Sequence, residues 1–240
     1  MRAKQPLVVC GLALLDAVYR RIGPVTIALA AADGDRASAG QVLATVEGAA
    51  RTLLAGERLA LNFIQHLSGI ATATRACVDR VAGTTLVIRD TRKTVPGMRL
   101  LAKYAVRVGG GTNHRLRLDD AILIKDNHIA LGGGDVPGAV KKARAAFPGL
   151  PLEVECRTLD EVAAAVGARP DLILLDNMTP AAIADAVRLV AGRIPLEASG
   201  GIHLDDLPAV AATGVDFVAM GAITHSAGAV DLNLKIEPLG

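Results

Sequence analysis

Residues 151–201 read PLEVECRTLDEVAAAVGARPDLILLDNMTPAAIADAVRLVAGRIPLEASGG. Three strings in this stretch are rich in Val, Leu and Ile: LEVEC (152–156), LILLDN (172–177) and IPLEASGG (194–201). The segments between them, 159–167 and 180–191, carry Ala, Val and Leu at helical spacing. The same alternation extends both ways, with TLVIRD (85–90), AILIKDN (121–127) and DFVAMGA (216–222) as further strands and 135–146 and 204–212 as further helices. Strands that are apolar almost throughout and separated by helices form a parallel sheet covered by those helices. At least six such strands predict a (β/α) barrel, or a close relative, rather than an open sheet. Asp90, Lys125, Glu155, Asp176, Ser199 and Gly221 all fall at or near the C-terminal ends of their strands, the end at which barrels do chemistry.

Upstream the pattern changes. Leu12, Leu15, Val18, Tyr19 and Ile22 predict an amphipathic helix over 11–22. VTIALA and QVLATVEG, separated by the turn-rich DGDRASAGQ, predict a small β unit within 25–54. That texture also occurs in biotinyl and lipoyl carrier domains, which need a lysine at a hairpin tip, and no Lys lies between Lys4 and Lys93. From Glu57 to Val81 the chain reads as helix, with a break expected near Ser68 and Gly69. A boundary there divides a small N-terminal α/β domain, 1–68, from a barrel domain, 69–240.

The 240 residues are 51% apolar but only 2% aromatic, so the core is built from Ala, Val, Leu and Ile, and platforms for stacking nucleic-acid bases are scarce. A net charge of +2 argues against a protein that coats nucleic acid or an anionic membrane. Cys10, Cys77 and Cys156 have neither an even count nor a zinc-finger spacing and read as small buried hydrophobes in a reducing compartment. The apolar stretch near the N-terminus is interrupted by Asp16 and lacks a small-residue cleavage site, and no window resembles a membrane span. A cytoplasmic location is expected.

Charge is concentrated locally. Residues 89–128 hold nine of the 26 Lys and Arg residues and only four acids, which predicts an anionic ligand. Lys103 and Arg107, at i and i+4, suit an exposed flank of a helix over 97–108. Arg92, Lys93, His114, Arg115 and Lys125 instead sit at loops or strand ends, where Arg offers a planar fork for carboxylate or phosphate and Lys a compact charge. Glu153 and Glu155 share one face of their strand by period-2 geometry, and Asp176 ends the next strand. Such carboxylates facing a basic cluster could balance a sugar that becomes cationic, or hold Mg²⁺ through water. The glycine-bearing ends Ser199-Gly200-Gly201 and Gly221, on the last two strands, predict a phosphate cradle.

The strings RDTRKTVPG (89–97), KYAV (103–106), GGGTNHR (109–115), IKDNH (124–128), ERLALN (57–62), LSGIAT (67–72), LLDN (174–177) and SGG (199–201) closely resemble the quinolinate phosphoribosyltransferase family over essentially the whole chain. The resemblance implies a seven-stranded, incompletely closed α/β barrel behind a smaller α/β domain. It further implies a homodimer, and decarboxylating transfer of a phosphoribosyl group from phosphoribosyl pyrophosphate to quinolinate with Mg²⁺. By that likeness Arg92, His114, Arg115 and Lys125 bind the quinolinate carboxylates, Lys93 the diphosphate end, and Arg58 comes from the neighbouring subunit. Glu155 and Asp176 stand at the ribose and Mg²⁺; Ser199, Gly200, Gly201, Gly221 and His225 stand at the 5-phosphate. Family members carry further residues, among them dimer-interface helices, ahead of the point that aligns with Leu7-Val8-Val9-Cys10-Gly11, and this chain starts without them. Two other readings compete: a molybdate-transport-associated paralogue of the same fold, which generally lacks the Asn-His-Arg and Ile-Lys-Asp-Asn-His strings, and a catalytically silent barrel acting as a binding partner.

Overall fold

A computed structural model describes residues 1–238. In chain order the elements are β1 (Arg2–Ala3), β2 (Leu7–Val8), α1 (Ala13–Tyr19), β3 (Val25–Leu29), β4 (Arg36–Ala37), β5 (Ala44–Gly48), α2 (Ala50–Arg80), β6 (Val87–Arg89) and α3 (Arg99–Val108). They continue with β7 (Ile122–Ile124), α4 (Asp126–Leu131), α5 (Val136–Ala146), β8 (Leu152–Cys156), α6 (Leu159–Ala168), β9 (Leu172–Asp176) and α7 (Pro180–Val190). The last are β10 (Leu196–Ser199), α8 (Leu207–Ala211) after one 3-10 turn, β11 (Phe217–Ala219), α9 (Ala222–His225) and β12 (Leu232–Asn233). These elements form two compact units, one made of residues 1–76, 94–111 and those from 223 on, the other of 77–93 and 112–222.

The second unit is the parallel sheet, in the order β6-β11-β10-β9-β8-β7. Beyond β6 a single parallel bridge between Arg89 and Thr112 marks a seventh position. No pairing joins that edge to β7 among the described residues, so the barrel is incompletely closed. Directly paired residues of parallel strands point to the same face. The register Leu123↔Glu153, Glu155↔Leu174, Leu174↔Glu197, Asp176↔Ser199, Glu197↔Phe217 and Ala219↔Arg89 therefore collects these side chains on one face. The opposite face carries Val154, Cys156, Ile173, Leu175, Ala198 and Val218, all completely buried. Each such Val, Ile or Leu contributes about 1.5–3 kcal/mol on burial, so one face is spent on stability and the other left for polar groups.

Capping residues set where the helices begin. Thr158 caps α6 by accepting the Glu161 N–H, Thr179 caps α7 by accepting the Ala182 N–H with Pro180 in the first turn, and Asp135 caps α5 by accepting the Gly138 N–H. Each of these caps fixes the start of a helix that leads into the next strand.

In the first unit, β3 and β5 form the expected antiparallel pair. Its core holds the fully buried Tyr19, Leu15, Leu43 and Ile64, with the Tyr19 hydroxyl donating to the Leu53 carbonyl at 3.2 Å.

Three local expectations are corrected. The helix break near Ser68 and Gly69 is absent: α2 runs unbroken from Ala50 to Arg80. Gly69 serves close approach instead, because a Cβ there would overlap the Gly228 carbonyl oxygen. The strand expected over 121–127 stops at Ile124, since Asp126 and Asn127 already belong to α4. Lys103 is buried, at 5% exposure, rather than lying on an exposed flank with Arg107. One position from Ala102 and three from Val106, it borders the buried stripe of α3, where an aliphatic lysine stem packs readily.

Candidate active site

The inner face of the sheet carries two tiers of chemistry. The upper tier lies at the C-terminal strand ends. Lys125, extended at the junction of β7 and α4, places Nζ 3.2 Å from Glu155 Oε2 on the neighbouring strand. The glutamate is buried while half of the lysine side chain is exposed, so the pair borders solvent. Asp176 accepts from Asn177 Nδ2 at 2.8 Å and is in register with Ser199. Gly200 follows with φ +102°, and a Cβ there would come within 2.7 Å of the Asn177 backbone nitrogen. Only glycine fits this turn, which leaves backbone open beside the Ser199 hydroxyl. Gly201 and Gly221 occupy the expected positions after β10 and β11.

The lower tier is one step deeper along the strands and forms an ion network. Glu197, with no exposure at all, accepts from Arg89 Nη1 at 2.7 Å. The Arg89 guanidinium lies 3.7 Å over the Phe217 ring, a cation–π contact. His114 reaches into the same space from the segment after Thr112. Its Nε2 lies 2.9 Å from Glu153 Oε2 and 3.5 Å from Glu197 Oε1, while Nδ1 accepts the Arg115 N–H at 2.8 Å. Asp90, at the end of β6, holds this segment by accepting the His114 N–H at 2.8 Å and Asn113 Nδ2 at 2.7 Å. The Arg115 guanidinium donates to the Ala121 carbonyl at 2.7 Å.

Electrostatics reinforce the geometry. Burial pushes the Glu197 carboxyl up, and the neighbouring Glu153 charge adds to it against the pull of His114 and Arg89. Burial alone would lower the His114 pKa, but its hydrogen bond to Glu153 and the charges of Glu153 and Glu197 leave it raised. Burial, then the nearby Arg92, push the Arg115 guanidinium below the usual arginine range. Two cations held close together in a partly desolvated place invite an anion.

His114, Arg115, Arg89, Glu153 and Phe217 line a cavity of about 360 Å³ that reaches the N-terminal ends of β8 and β9 at Leu152 and Leu172. A larger cavity, about 550 Å³, lies in the first unit between Val46, Leu53 and Ile236; Arg2, Glu47, Lys235 and Glu237 line it, and none of the residues singled out in the sequence does. The chemistry is therefore read from the barrel interior.

Of the residues singled out in the sequence, the second unit brings Glu155, Lys125, Asp176, Ser199 and Gly200 to the strand ends, and His114 and Arg115 to the interior. Arg92 is half-buried near Arg115, and Lys93 is exposed after β6. Arg58, exposed on α2, and His225, exposed at the end of α9 with Nδ1 2.6 Å from Ser226 Oγ, belong to the first unit. Glu197 and Arg89 were not picked out from sequence, although period-2 spacing from Ser199 and Val87 places both on the inner face. His114, Glu153 and Glu197 have ligating atoms within 4.8 Å of one another, but Arg89 already holds one oxygen of Glu197.

Fold and interior together define an α/β-barrel protein that handles a small polyanion. The chain belongs to the quinolinate phosphoribosyl transferase family: the family's N-terminal domain matches residues 1–68 and its C-terminal domain residues 70–235. It is 48% identical to a carboxylating nicotinate-nucleotide pyrophosphorylase of Mycobacterium leprae, over 98% of this chain and 85% of that protein. It is 40% identical to the human protein of the same name, over 98% and 80%. Among solved structures, nicotinate-nucleotide pyrophosphorylase from Ehrlichia chaffeensis superposes with a TM-score of 0.94 at 41% identity, over 98% of this chain and 86% of that one. NadC from Streptococcus pyogenes superposes with a TM-score of 0.92 at 43% identity, over 96% and 82%.

Proposed function

We infer that this chain is a pentosyltransferase of NAD biosynthesis, which moves the phosphoribosyl group of phosphoribosyl pyrophosphate onto the ring nitrogen of quinolinate. Nicotinate mononucleotide, pyrophosphate and carbon dioxide are the products. The observation that carries the reading is the register of Asp176 with Ser199 next to the Gly200 turn, a carboxylate beside a glycine turn suited to a phosphate, with Glu155 on the adjacent strand.

In the mechanism, Arg92, His114, Arg115 and Lys125 hold the two quinolinate carboxylates and aim the ring nitrogen at the anomeric carbon. Ser199, Gly200, Gly201 and Gly221 hold the 5-phosphate, and Lys93 the diphosphate. As the bond to pyrophosphate breaks, the ribose ring gains oxocarbenium character, which Glu155 and Asp176 stabilise. The new bond leaves the pyridine nitrogen positive. The carboxyl group on the adjacent carbon then departs as carbon dioxide, its electron pair passing to that carbon, which takes a proton. Most of the rate enhancement comes from positioning and from charges fixed in advance.

Glu155 and Asp176 are hard oxygen donors at neighbouring strand ends, a set that suits Mg²⁺ held through water alongside substrate phosphate. When bound, the ion neutralises the departing pyrophosphate. We propose further that the chain acts as a homodimer in which Arg58 reaches the partner's site, and that it works in the cytoplasm. None of the described helices is long and apolar enough to cross a membrane, which agrees with that location. The division into domains 1–68 and 69–240 belongs to the same proposal, supported by the two family models meeting at that point.

The test is to supply quinolinate, phosphoribosyl pyrophosphate and Mg²⁺ and to follow carbon dioxide and nicotinate mononucleotide. Equimolar release of both is expected. Binding of quinolinate without pyrophosphate release would overturn the reading.

A further inference from the structure

The chain leaves β9 through a left-handed residue. Asn177 has φ +56°, and among the described residues the other non-glycine positions with positive φ are Arg169 and Ala191, each directly after a helix, where left-handed ends are common. Asn177 instead follows a strand, between Asp176 and the segment that leads into α7. Glycine takes this conformation without strain; asparagine tolerates it better than most side chains and adds an amide.

That amide joins two parts of the strand ends. Its Nδ2 donates to Asp176 Oδ2 at 2.8 Å. The bond decides which end of the amide faces which way, because turning it over would set its oxygen against a carboxylate. Oδ1 consequently lies over Gly200: a Cβ on Gly200 would come within 2.3 Å of Oδ1 and 2.6 Å of Cγ. The Asn177 backbone N–H donates to the Ser199 carbonyl at 2.8 Å, one residue past the last paired position, Asp176 with Ser199. A single residue therefore holds the Asp176 carboxylate with its side-chain donor, ties the ends of β9 and β10 with its backbone donor, and covers Gly200 with its side-chain oxygen.

We propose that Asn177 is a positioning residue: it locks the Asp176 carboxylate at a fixed spacing from the Ser199-Gly200 turn, so that the two grip the ribose and the 5-phosphate of one sugar phosphate together. The role rests on the reading above, with Asp176 at the ribose and Ser199 and Gly200 at the phosphate. The physical reason is pre-organisation. A loose aspartate loses rotamer freedom when the sugar arrives, whereas one already tied down does not, and the difference appears in binding of the phosphoribosyl substrate. Quinolinate, held by Arg92, His114, Arg115 and Lys125 from other elements, gains nothing from it.

The test uses Asn177→Gly, which keeps the left-handed backbone and removes the amide, beside Asn177→Ala, which removes the amide and strains the backbone. Asn177→Gly should melt close to the wild-type temperature, and its KM for phosphoribosyl pyrophosphate should rise roughly tenfold, as for one lost hydrogen bond to a charged group, with little change in the KM for quinolinate. Asn177→Ala should show the same split together with a lower melting temperature. An Asn177→Gly protein with the wild-type KM for phosphoribosyl pyrophosphate would overturn the proposal, since asparagine would then serve the backbone alone. Equal rises in both KM values would also overturn it, because they would report a general loosening of the strand ends. If Asn177→Gly does not fold, Asn177→Asp decides, since it keeps the shape but sets a second carboxylate against Asp176; a KM for phosphoribosyl pyrophosphate unchanged in that variant overturns the proposal, and a selective rise supports it. A wild-type protein that does not turn over quinolinate overturns the function instead. Crystal structures of wild type and Asn177→Gly then decide the place of Asn177: an Asp176 carboxylate that swings away without the amide supports the tie, and one that stays in place overturns it.

Discussion

Lys125 and Glu155 meet across β7 and β8 with Nζ 3.2 Å from Oε2, the lysine half exposed and the glutamate buried. The pair lies between solvent and the barrel interior, so its value to folding is small and its value to a charged reactant large. Lys125→Ala should change stability by less than about 1 kcal/mol, as for other solvent-bordering ion pairs. Glu155→Gln should lower kcat by about 10²–10³, the range for removing one pre-placed charge from a reacting centre. Thermal unfolding and turnover, measured on the same preparations, check both. A Glu155→Gln protein with wild-type kcat would remove Glu155 from the reaction.

Arg115 has two roles that can be separated. Its guanidinium braces the Ala121 carbonyl just ahead of β7, and its partial burial near Arg92 prepares it for an anion. Arg115→Ala should cost about 1–2 kcal/mol of stability through the lost hydrogen bond and still give a folded protein with no measurable turnover. Circular dichroism and the product assay decide it. Wild-type rates in a folded variant would contradict the assignment of the basic cluster.

The two glycines after β10 should respond differently to alanine. At Gly200 a Cβ would strike Asn177, and φ is +102°; at Gly201 φ is +60° and no neighbour lies within 4 Å. Gly200→Ala combines backbone strain of about 1–3 kcal/mol with a steric clash, whereas Gly201→Ala carries only the strain of a left-handed residue. The first variant should therefore show the lower melting temperature and the larger rise in KM for phosphoribosyl pyrophosphate. Equal effects would mean that the Asn177 contact does not shape the turn.

What could be read from sequence followed from periodicity. The strand strings reappear as β6 to β11, and alternation in LEVEC and LILLDN places Glu153, Glu155 and Asp176 on the inner face. Arg89 with Glu197 could not be read as a pair. They are 108 residues apart and meet only because β6 and β10 both flank β11, with a long side chain spanning the intervening Phe217. The strand ends attracted attention to Ser199 and away from Glu197, two residues deeper on the same face. The cavity at the opposite end of the strands was equally invisible, since it depends on how the sheet curves. Lys103 shows the complementary error: its charge suggested solvent, while its place beside Ala102 and Val106 determined burial.

Gly69 supplies a prediction of unusual sign. On an isolated helix, glycine to alanine is stabilising by about 1 kcal/mol. In α2 the added Cβ would overlap the Gly228 carbonyl oxygen and lie 3.1 Å from its carbon, both rigid backbone atoms. Gly69→Ala should therefore destabilise, by about 1–3 kcal/mol as for other overpacked sites. Denaturant unfolding would show a lower midpoint; a higher one would mean that the residues around Gly228 yield without cost.

The three thiols give a test that needs no substitution. Cys10, Cys77 and Cys156 are buried and free. Burial pushes Cys10 and Cys156 up to about 12, with Asp33 adding to the first and Glu161 and Glu155 to the second; burial alone pushes Cys77 up to about 11. The direction favours the thiol, so at pH 8 about a thousandth or less of each is thiolate, the only form that reacts with a disulfide reagent. Burial also denies access, and the two effects act together. An aromatic disulfide reagent at pH 8 should therefore label none of the three in the native protein within minutes and all three after unfolding. Raising the pH to 9 increases the thiolate about tenfold yet leaves it at about a hundredth or less, and burial still denies access, so native labelling should remain slow. Rapid labelling of Cys156 in the native state would mean that the outer face of β8 opens, and with it the support behind Glu155.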